Sequence, residues 1–447
     1  MSKEYILPIE EFKKFFTNGF WRAFHNNSLP LSIPKNQQAK ELLLNKLYES
    51  IIQRKYYPHV PEATIYIDKD HGVTRCVPVF AIEDYCIYYF CLKRLEENIA
   101  VNRVPNTFGG WSLGGKIREK ENEDLYINDY GRFAFNPLAW SKAFGDFNAR
   151  LGANLMSENF AYALEFDIAN FYDSIRLDIL ENRIREVAGS QLSLEISLLF
   201  HFLNYWNRDC NFYNRQTVGL PSDALADCSR ILANFHLQPY DDFAYKLAQR
   251  SGVQYFRFAD DQFIFLNDPN LKPKLLHELS LELRRWGLNI NQKKVHLWNR
   301  AELIEHRSFP IMAIFANDED KKDPEKIRAF ASAYLSIPPE KLKALWHFGF
   351  PLLKRLLWCD LNVLPLDQRT ELFARYLADD FIKKANVSIL DRIYSLLKPA
   401  QRSEFVSKLL DLAEKLIHNE FHFHLRRFLK DKRLDSSAVC RRLKEIS

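Results

Sequence analysis

An α+β body followed by an all-helical C-terminal domain is the fold class that this sequence predicts. Three observations carry it. A run with strand-like alternation at 162–168 and two β-rich runs at 255–258 and 262–266 sit among longer segments with helical spacing. Strand signal then all but stops near Phe315, and amphipathic segments broken at Pro338-Pro339, Pro351, Pro365 and Pro399 take over. A chain of 447 residues, 47% hydrophobic and 27% charged, has the composition of two or three ordinary globular domains.

Taken in order, 11–24 and 38–54 read as aromatic-rich helices around a polar loop at 26–38. Residues 64–67 and 74–79 read as paired strands joined at His71-Gly72. The apolar segment 83–97 (Tyr85, Ile87, Tyr88, Tyr89, Phe90, Leu92, Leu95) has the spacing of a buried helix. Four of the fourteen glycines fall in 106–115, where the backbone must bend or lie close to a neighbour. Residues 116–135 are polar and read as loop. Helices follow at 177–187 and 192–206, with a long one at 225–249. The runs 255–258 and 262–266 form a hairpin pattern around Ala259-Asp260-Asp261. A helix at 272–286 ends on Gly287, a good C-cap. Residues 317–326 read as a charged linker holding a helix start, with Asp323 as N-cap and Pro324 at the first position. Beyond it the segments suggest stacked helical pairs, without a period clean enough to define a repeat.

The net charge of +5 is unevenly spread. Residues 321–447 carry 25 Lys/Arg and 16 Asp/Glu, leaving 37 and 41 for residues 1–320, so the tail is +9 and the body −4. This balance suits an anionic partner, or a solvated surface. Seven cysteines without a CxxC pair argue against a disulfide framework or zinc ribbon. The start of the chain lacks the apolar run of a signal peptide, and no stretch approaches the ~20 apolar residues of a membrane span. A soluble protein of a reducing compartment, without membrane association, is expected.

Three carboxylates stand out. Asp167 ends an apolar strand, and Asp260 and Asp261 tip a hairpin flanked by Phe256, Phe258, Phe263, Ile264 and Phe265. Apolar flanks make their charges costly, and adjacent aspartates repel. A divalent cation offsets both penalties, and two Mg²⁺ ions about 3.5–4 Å apart can activate a hydroxyl and stabilise a leaving pyrophosphate. Aspartate is also a favoured turn residue, so the pair alone leaves both readings open. His418, His422 and His424 lack an acidic or Cys ligand to complete a metal set. The stretch Arg426, Arg427, Lys430, Lys432, Arg433, Arg441 and Arg442, with Phe421, Phe423 and Phe428 interleaved, suits either single-stranded DNA or, slightly better, an amphipathic helix with Phe in the core.

The combination resembles reverse transcriptases. Phe166-Asp167-Ile168-Ala169-Asn170-Phe171-Tyr172-Asp173 is similar to their motif A. Gly219-Leu220-Pro221 with Ser229-Arg230-Ile231-Leu232-Ala233-Asn234 is similar to motif B. Tyr255-Phe256-Arg257-Phe258-Ala259-Asp260-Asp261 resembles the Tyr-X-Asp-Asp motif C, and Trp286-Gly287-Leu288-Asn289-Ile290-Asn291 through Lys294 resembles motif D. Residues 65–78 are similar to the fingers motifs. The blocks keep family order over roughly 55–300. Departures occur after Pro221, where Ser222-Asp223-Ala224-Leu225 intervenes, and after Lys294, where the helical domain replaces motif E and a normal thumb. With Asp227-Cys228-Ser229-Arg230, Asn106-Thr107-Phe108-Gly109-Gly110-Trp111 and the helical C-terminus, the nearest resemblance is to abortive-infection reverse transcriptases of bacteria, in particular a prophage-borne member.

That resemblance implies a palm and fingers over 1–315 and a helical-repeat-like domain over 316–447. It implies Asp167, Asp260 and Asp261 as ligands of two Mg²⁺ ions, with Asp261 the weaker partner. Lys69 and Arg75 would bind the triphosphate, Tyr172 would exclude a 2′-hydroxyl, and Gly219 would let backbone approach the nucleotide. Lys294 would serve the leaving pyrophosphate. Lys69 and Lys293 can equally be solvated surface, and Asp173 reads better as the cap of a helix starting at Ser174 than as a ligand. The activity implied is antiphage, template-independent DNA synthesis from dNTPs, primed on a protein tyrosine, in a homo-oligomer (a trimer by family resemblance) of the bacterial cytoplasm. A templated RNA-directed DNA polymerase of retron or intron type, and a silent nucleic-acid-binding scaffold, are the alternatives.

Overall fold

The computed structural model describes residues 7–25, 30–69, 73–100, 103–109, 113, 117–120, 123–127, 139–157, 159–222, 228–436, 439 and 441–443. They form two compact units, one of Met1–Thr64 with Cys76–Asn299 and the other of Ile65–Arg75 with Arg300–Ser447. The expected turn at His71-Gly72, the stretch Asp223 to Asp227, and Trp111 lie outside the described residues.

Strands β1 (Ala63–Asp68) and β2 (Thr74–Val79) pair with each other. The main sheet of the first unit joins β3 (Thr107–Phe108), β6 (Tyr162–Asp167), β7 (Gln254–Phe258), β8 (Asp261–Leu266) and β9 (His296–Asn299) in the order β3-β7-β8-β6-β9. All its pairings are antiparallel except β3 with β7. Strands β4 (Ile117–Lys120) and β5 (Glu123–Ile127) form a separate antiparallel hairpin where a loop was expected.

Alternation along the strands divides the sheet into two apolar faces. Leu164, Phe166, Tyr255, Ile264 and Leu266 share one core with the helices Ile82–Ile99, Ser193–Tyr205 and Cys228–Ser251. On the other face the helix Ala139–Met156, to which the sequence reading assigned no element, brings Phe147 to Phe258 and Phe263, and Phe144 to Phe258. Helix Ile82–Ile99 is buried nearly all round, as its composition predicts. Its buried charges are paired: Tyr56 Oη and the His59 backbone N–H donate to Asp84, and Lys93 pairs with Glu96, which also accepts the Leu113 N–H.

Three expected boundaries are corrected. The helix expected over 11–24 is two helices, Ile9–Lys14 and Asn18–His25, because the Thr17 hydroxyl accepts the Phe20 N–H and starts a new helix. The chain after motif A makes one turn at Phe171–Ser174 and begins its helix at Leu177. Asp173 therefore sits inside that turn and caps nothing downstream. The hairpin in place of loop at 117–127 is the third.

The second unit is helical throughout its described residues from Arg300 on. Asp323 caps Pro324–Leu335 as expected, accepting the Glu325 N–H at 2.9 Å. Ile327, Phe330, Leu356, Leu390, Leu409 and Leu425 share one core. Phe421 and Phe428 are buried in it, so the aromatic residues of the basic stretch serve mainly as core. His422 Nε2 hydrogen-bonds to the Ala413 carbonyl and His418 Nε2 to Thr74 Oγ1. Among the described residues no helix is long and apolar enough to cross a membrane.

Candidate active site

The antiparallel register decides where the carboxylates fall. β6 pairs with β8 so that Asp167 lies directly opposite Asp261, and β7 pairs with β8 so that Phe258 lies opposite Asp261. The intervening turn is Ala259-Asp260, which puts Asp260 at the tip. The end of β6 is held on both sides by backbone: Ile168 N–H donates to the Asp260 carbonyl, Ala169 N–H to Asn289, and Asn291 N–H to the Asp167 carbonyl.

Asp167 is 6% exposed. Its Oδ2 accepts from Lys294 Nζ at 2.9 Å and from Asn291 Nδ2 at 3.4 Å, whereas Oδ1 is buried with no donor. Burial, then the charges of Asp261 and Asp167 and a hydrogen bond that the protonated form makes to Asp167, push the Asp260 carboxyl up to about 7. The Lys294 side chain is 60% exposed. Burial acts to lower its pKa, but the hydrogen bond to Asp167 and the charges of Asp167, Asp261 and Asp260 outweigh it and the net shift is upward.

A donorless buried carboxylate oxygen beside a carboxyl whose ionisation two neighbours oppose is a donor set that suits a hard divalent cation. Among the described residues no three acidic, His or Cys side chains already stand together as a ready metal cage. Mg²⁺ does not require one, since it is commonly held by one or two carboxylates with substrate phosphates and water completing the shell.

The raised Asp260 value predicts a pH dependence. The folded value of about 7 lies above the ordinary 3.8, so between them the folded chain holds a proton that the unfolded chain releases. Stability from this group is full below about 4 and is lost as pH rises through about 7. Thermal unfolding should show added Mg²⁺ raising the midpoint more at pH 8 than at pH 5, and Asp260→Asn should flatten that difference.

The hairpin rests on a buried network that the sequence reading did not find. Arg257 is fully buried, and its Nε and Nη2 donate to Asp241 at 2.7 and 2.6 Å. Its Nη1 donates to Asn234 Oδ1 and to the Ala259 carbonyl, both at 2.8 Å. Tyr255 Oη donates to Asp241, and Tyr240 Oη to Gln262 Oε1. Ala259 has φ 53°, a conformation that costs a non-glycine residue about 1–2 kcal/mol. The Arg257 bond to its carbonyl holds it there. Gly109 completes the support. With φ +129°, a Cβ on it would stand 2.9 Å from Asn234 Nδ2. This is the close approach expected of the glycine-rich segment.

The other candidate residues divide by unit. Tyr172 and Gly219 lie on strands of backbone tied to each other: Leu220 N–H donates to the Tyr172 carbonyl and Gly219 N–H to Ile175. Gly219 has φ +99° and packs against the Asp173 backbone. Lys69 and Arg75 belong to the other unit, where both are exposed and Lys69 N–H donates to the Val73 carbonyl.

An antiparallel sheet with carboxylates gathered at a hairpin tip and a lysine on one of them is a site for chemistry on phosphates. Residues 149–345 match the family model of Reverse transcriptase (RNA-dependent DNA polymerase). The match takes in Asp167, Tyr172, Gly219, Asp260, Asp261 and Lys294 and leaves out Lys69 and Arg75. No curated protein matches the chain. The protein therefore carries a reverse-transcriptase-like nucleotidyltransferase domain, whose substrates are nucleotides and nucleic acid. Such domains generally use Mg²⁺.

Proposed function

We propose that this protein is a DNA polymerase of the abortive-infection type, joining dNTPs without a template on a tyrosine of the protein itself. The observation that carries the polymerase reading is the convergence of Asp167 and Asp260, with one Asp167 oxygen buried and donorless. Asp167 and Asp260 would hold two Mg²⁺ ions, with Asp261 alongside. The ions, when bound, lower the pKa of the attacking hydroxyl and neutralise charge on the phosphates.

The chain's own residues would do the rest. Lys294 keeps a positive charge beside Asp167, where it can neutralise or protonate the departing pyrophosphate. Tyr172, on the turn just after Asp167, would exclude a 2′-hydroxyl and so select deoxynucleotides. Gly219 would admit backbone close to the nucleotide, and Lys69 and Arg75 would bind its triphosphate. The domains we propose are a palm and fingers over 1–315 and a helical domain over 316–447. The helical C-terminal region, standing where a normal thumb is absent from the sequence, supports the abortive-infection assignment, and with it antiphage defence, a homo-oligomer such as a trimer, and the bacterial cytoplasm.

A templated RNA-directed DNA polymerase is the second reading, favoured by the description of the matching family. One assay separates them. Purified protein is given dNTPs and Mg²⁺ with no template or primer. Product that partitions with the protein into the phenol phase until protease is added is the expected result. Strict dependence on an annealed RNA template would instead select the second reading.

A further inference from the structure

The loop that follows helix Ser193–Tyr205 and leads into Gly219-Leu220 holds two bulky aromatic residues outward. Phe212 is 85% and Tyr213 66% exposed, and both have left-handed backbone, φ 51° and 62°. That conformation is rare for aromatic residues and persists only where the surroundings impose it. Here they do: Tyr213 N–H donates to the Arg208 carbonyl at 2.7 Å, Asn211 Nδ2 to Gln216 Oε1, Gln216 N–H to the Asn204 carbonyl, and Gln216 Nε2 to the Gly219 carbonyl.

The two rings do not stand alone. The Arg208 guanidinium lies between Tyr213 and Tyr57, 5.8 and 4.9 Å from the ring centres. Tyr57 in turn packs against Tyr205 and His201 at 5.3 and 5.0 Å. Exposed Arg54 and Lys55 precede Tyr57 in the chain and exposed Arg215 follows Tyr213, against one acidic residue of the loop, Asp209. Outward aromatic faces set among cations fit the bases and phosphates of a single strand.

We propose that Phe212 and Tyr213, with Arg208 and Tyr57 behind them, form a stacking surface for the single-stranded DNA product. This rests on the polymerase reading, because an untemplated enzyme has only its product strand to hold. The surface continues into the site through the chain itself: Gly219 and Leu220, the anchors of the loop, hydrogen-bond to the segment that follows Asp167.

The test measures anisotropy of a fluorescent oligothymidine on the full chain in the Asp260→Asn background, where synthesis is off, so the result does not depend on the polymerase reading. That reading is judged separately, by incorporation in the parent. The Phe212→Ala/Tyr213→Ala variant should bind the strand about tenfold or more weakly, with an unchanged unfolding midpoint. In a Phe212→Trp variant, oligothymidine should quench the new indole emission while duplex DNA should not. Undiminished binding by the double variant, or no quenching, overturns the proposal. So does a double variant that loses only single-stranded RNA, or one that keeps DNA binding but changes its sedimentation, which would make the surface a contact between copies.

Discussion

Asp260→Asn should abolish nucleotide incorporation without unfolding the chain. The substitution keeps the shape of the side chain and removes the charge that sits at the hairpin tip beside Asp167 and Asp261. Removing one group that stabilises transition-state charge typically lowers turnover about 10²–10³-fold, and loss of an ion with it would take the rate further down. The stability effect has the opposite sign. Above pH 7, where this carboxyl is forced to ionise against its neighbours, the variant should unfold at the same temperature as the parent or higher. A steady-state incorporation assay and a thermal scan at pH 8 check both halves. Normal incorporation would remove Asp260 from the site, and a collapsed midpoint would make its role structural.

Asp241→Asn should be the most damaging single change away from the carboxylates. It leaves Arg257, fully buried, without its bidentate partner. Breaking one side of such a pair costs about 3–5 kcal/mol, because the remaining charge has no water to turn to. Replacing both residues, as Asp241→Leu with Arg257→Met, should restore much of the stability, since apolar groups of similar volume often match a buried pair. It should not restore activity. The Ala259 carbonyl and Asn234 Oδ1 would still have lost the guanidinium that holds the hairpin tip. Chemical denaturation and incorporation, run on the single and double variants, separate the two roles. Recovery of activity together with stability would mean that Arg257 is only packing.

The parts of the site that sequence made legible are those whose signal is local. Alternation in 162–168 and a β-rich run at 262–266 exposed two strands, and aspartate at the end of one and the tip of a hairpin broke an otherwise apolar pattern. The register that places Asp167 opposite Asp261 was not legible, because both faces of this sheet are apolar and a slip by one residue would only exchange them. The support beneath was not legible for a physical reason. Asp241 lies inside a long helix and Arg257 inside a strand, and neither neighbourhood names its partner. A charged residue between Phe256 and Phe258 was a signal of burial, but only the packing of helix Cys228–Ser251 on β7 shows what neutralises it. Strand β9, with four residues, and helix Ala139–Met156, with its mixed polar and aromatic sequence, carry too little periodicity to stand out. The Phe212-Tyr213 loop was invisible because backbone sign is not written in side-chain type.

Anomalous diffraction from crystals soaked with Mn²⁺, which takes the same oxygen ligands as Mg²⁺, tests the central claim most directly. The account predicts a peak between Asp167 and Asp260, within bonding distance of the donorless Asp167 oxygen. Absence of any peak there, in crystals whose dissolved protein incorporates nucleotides with Mn²⁺, would contradict it.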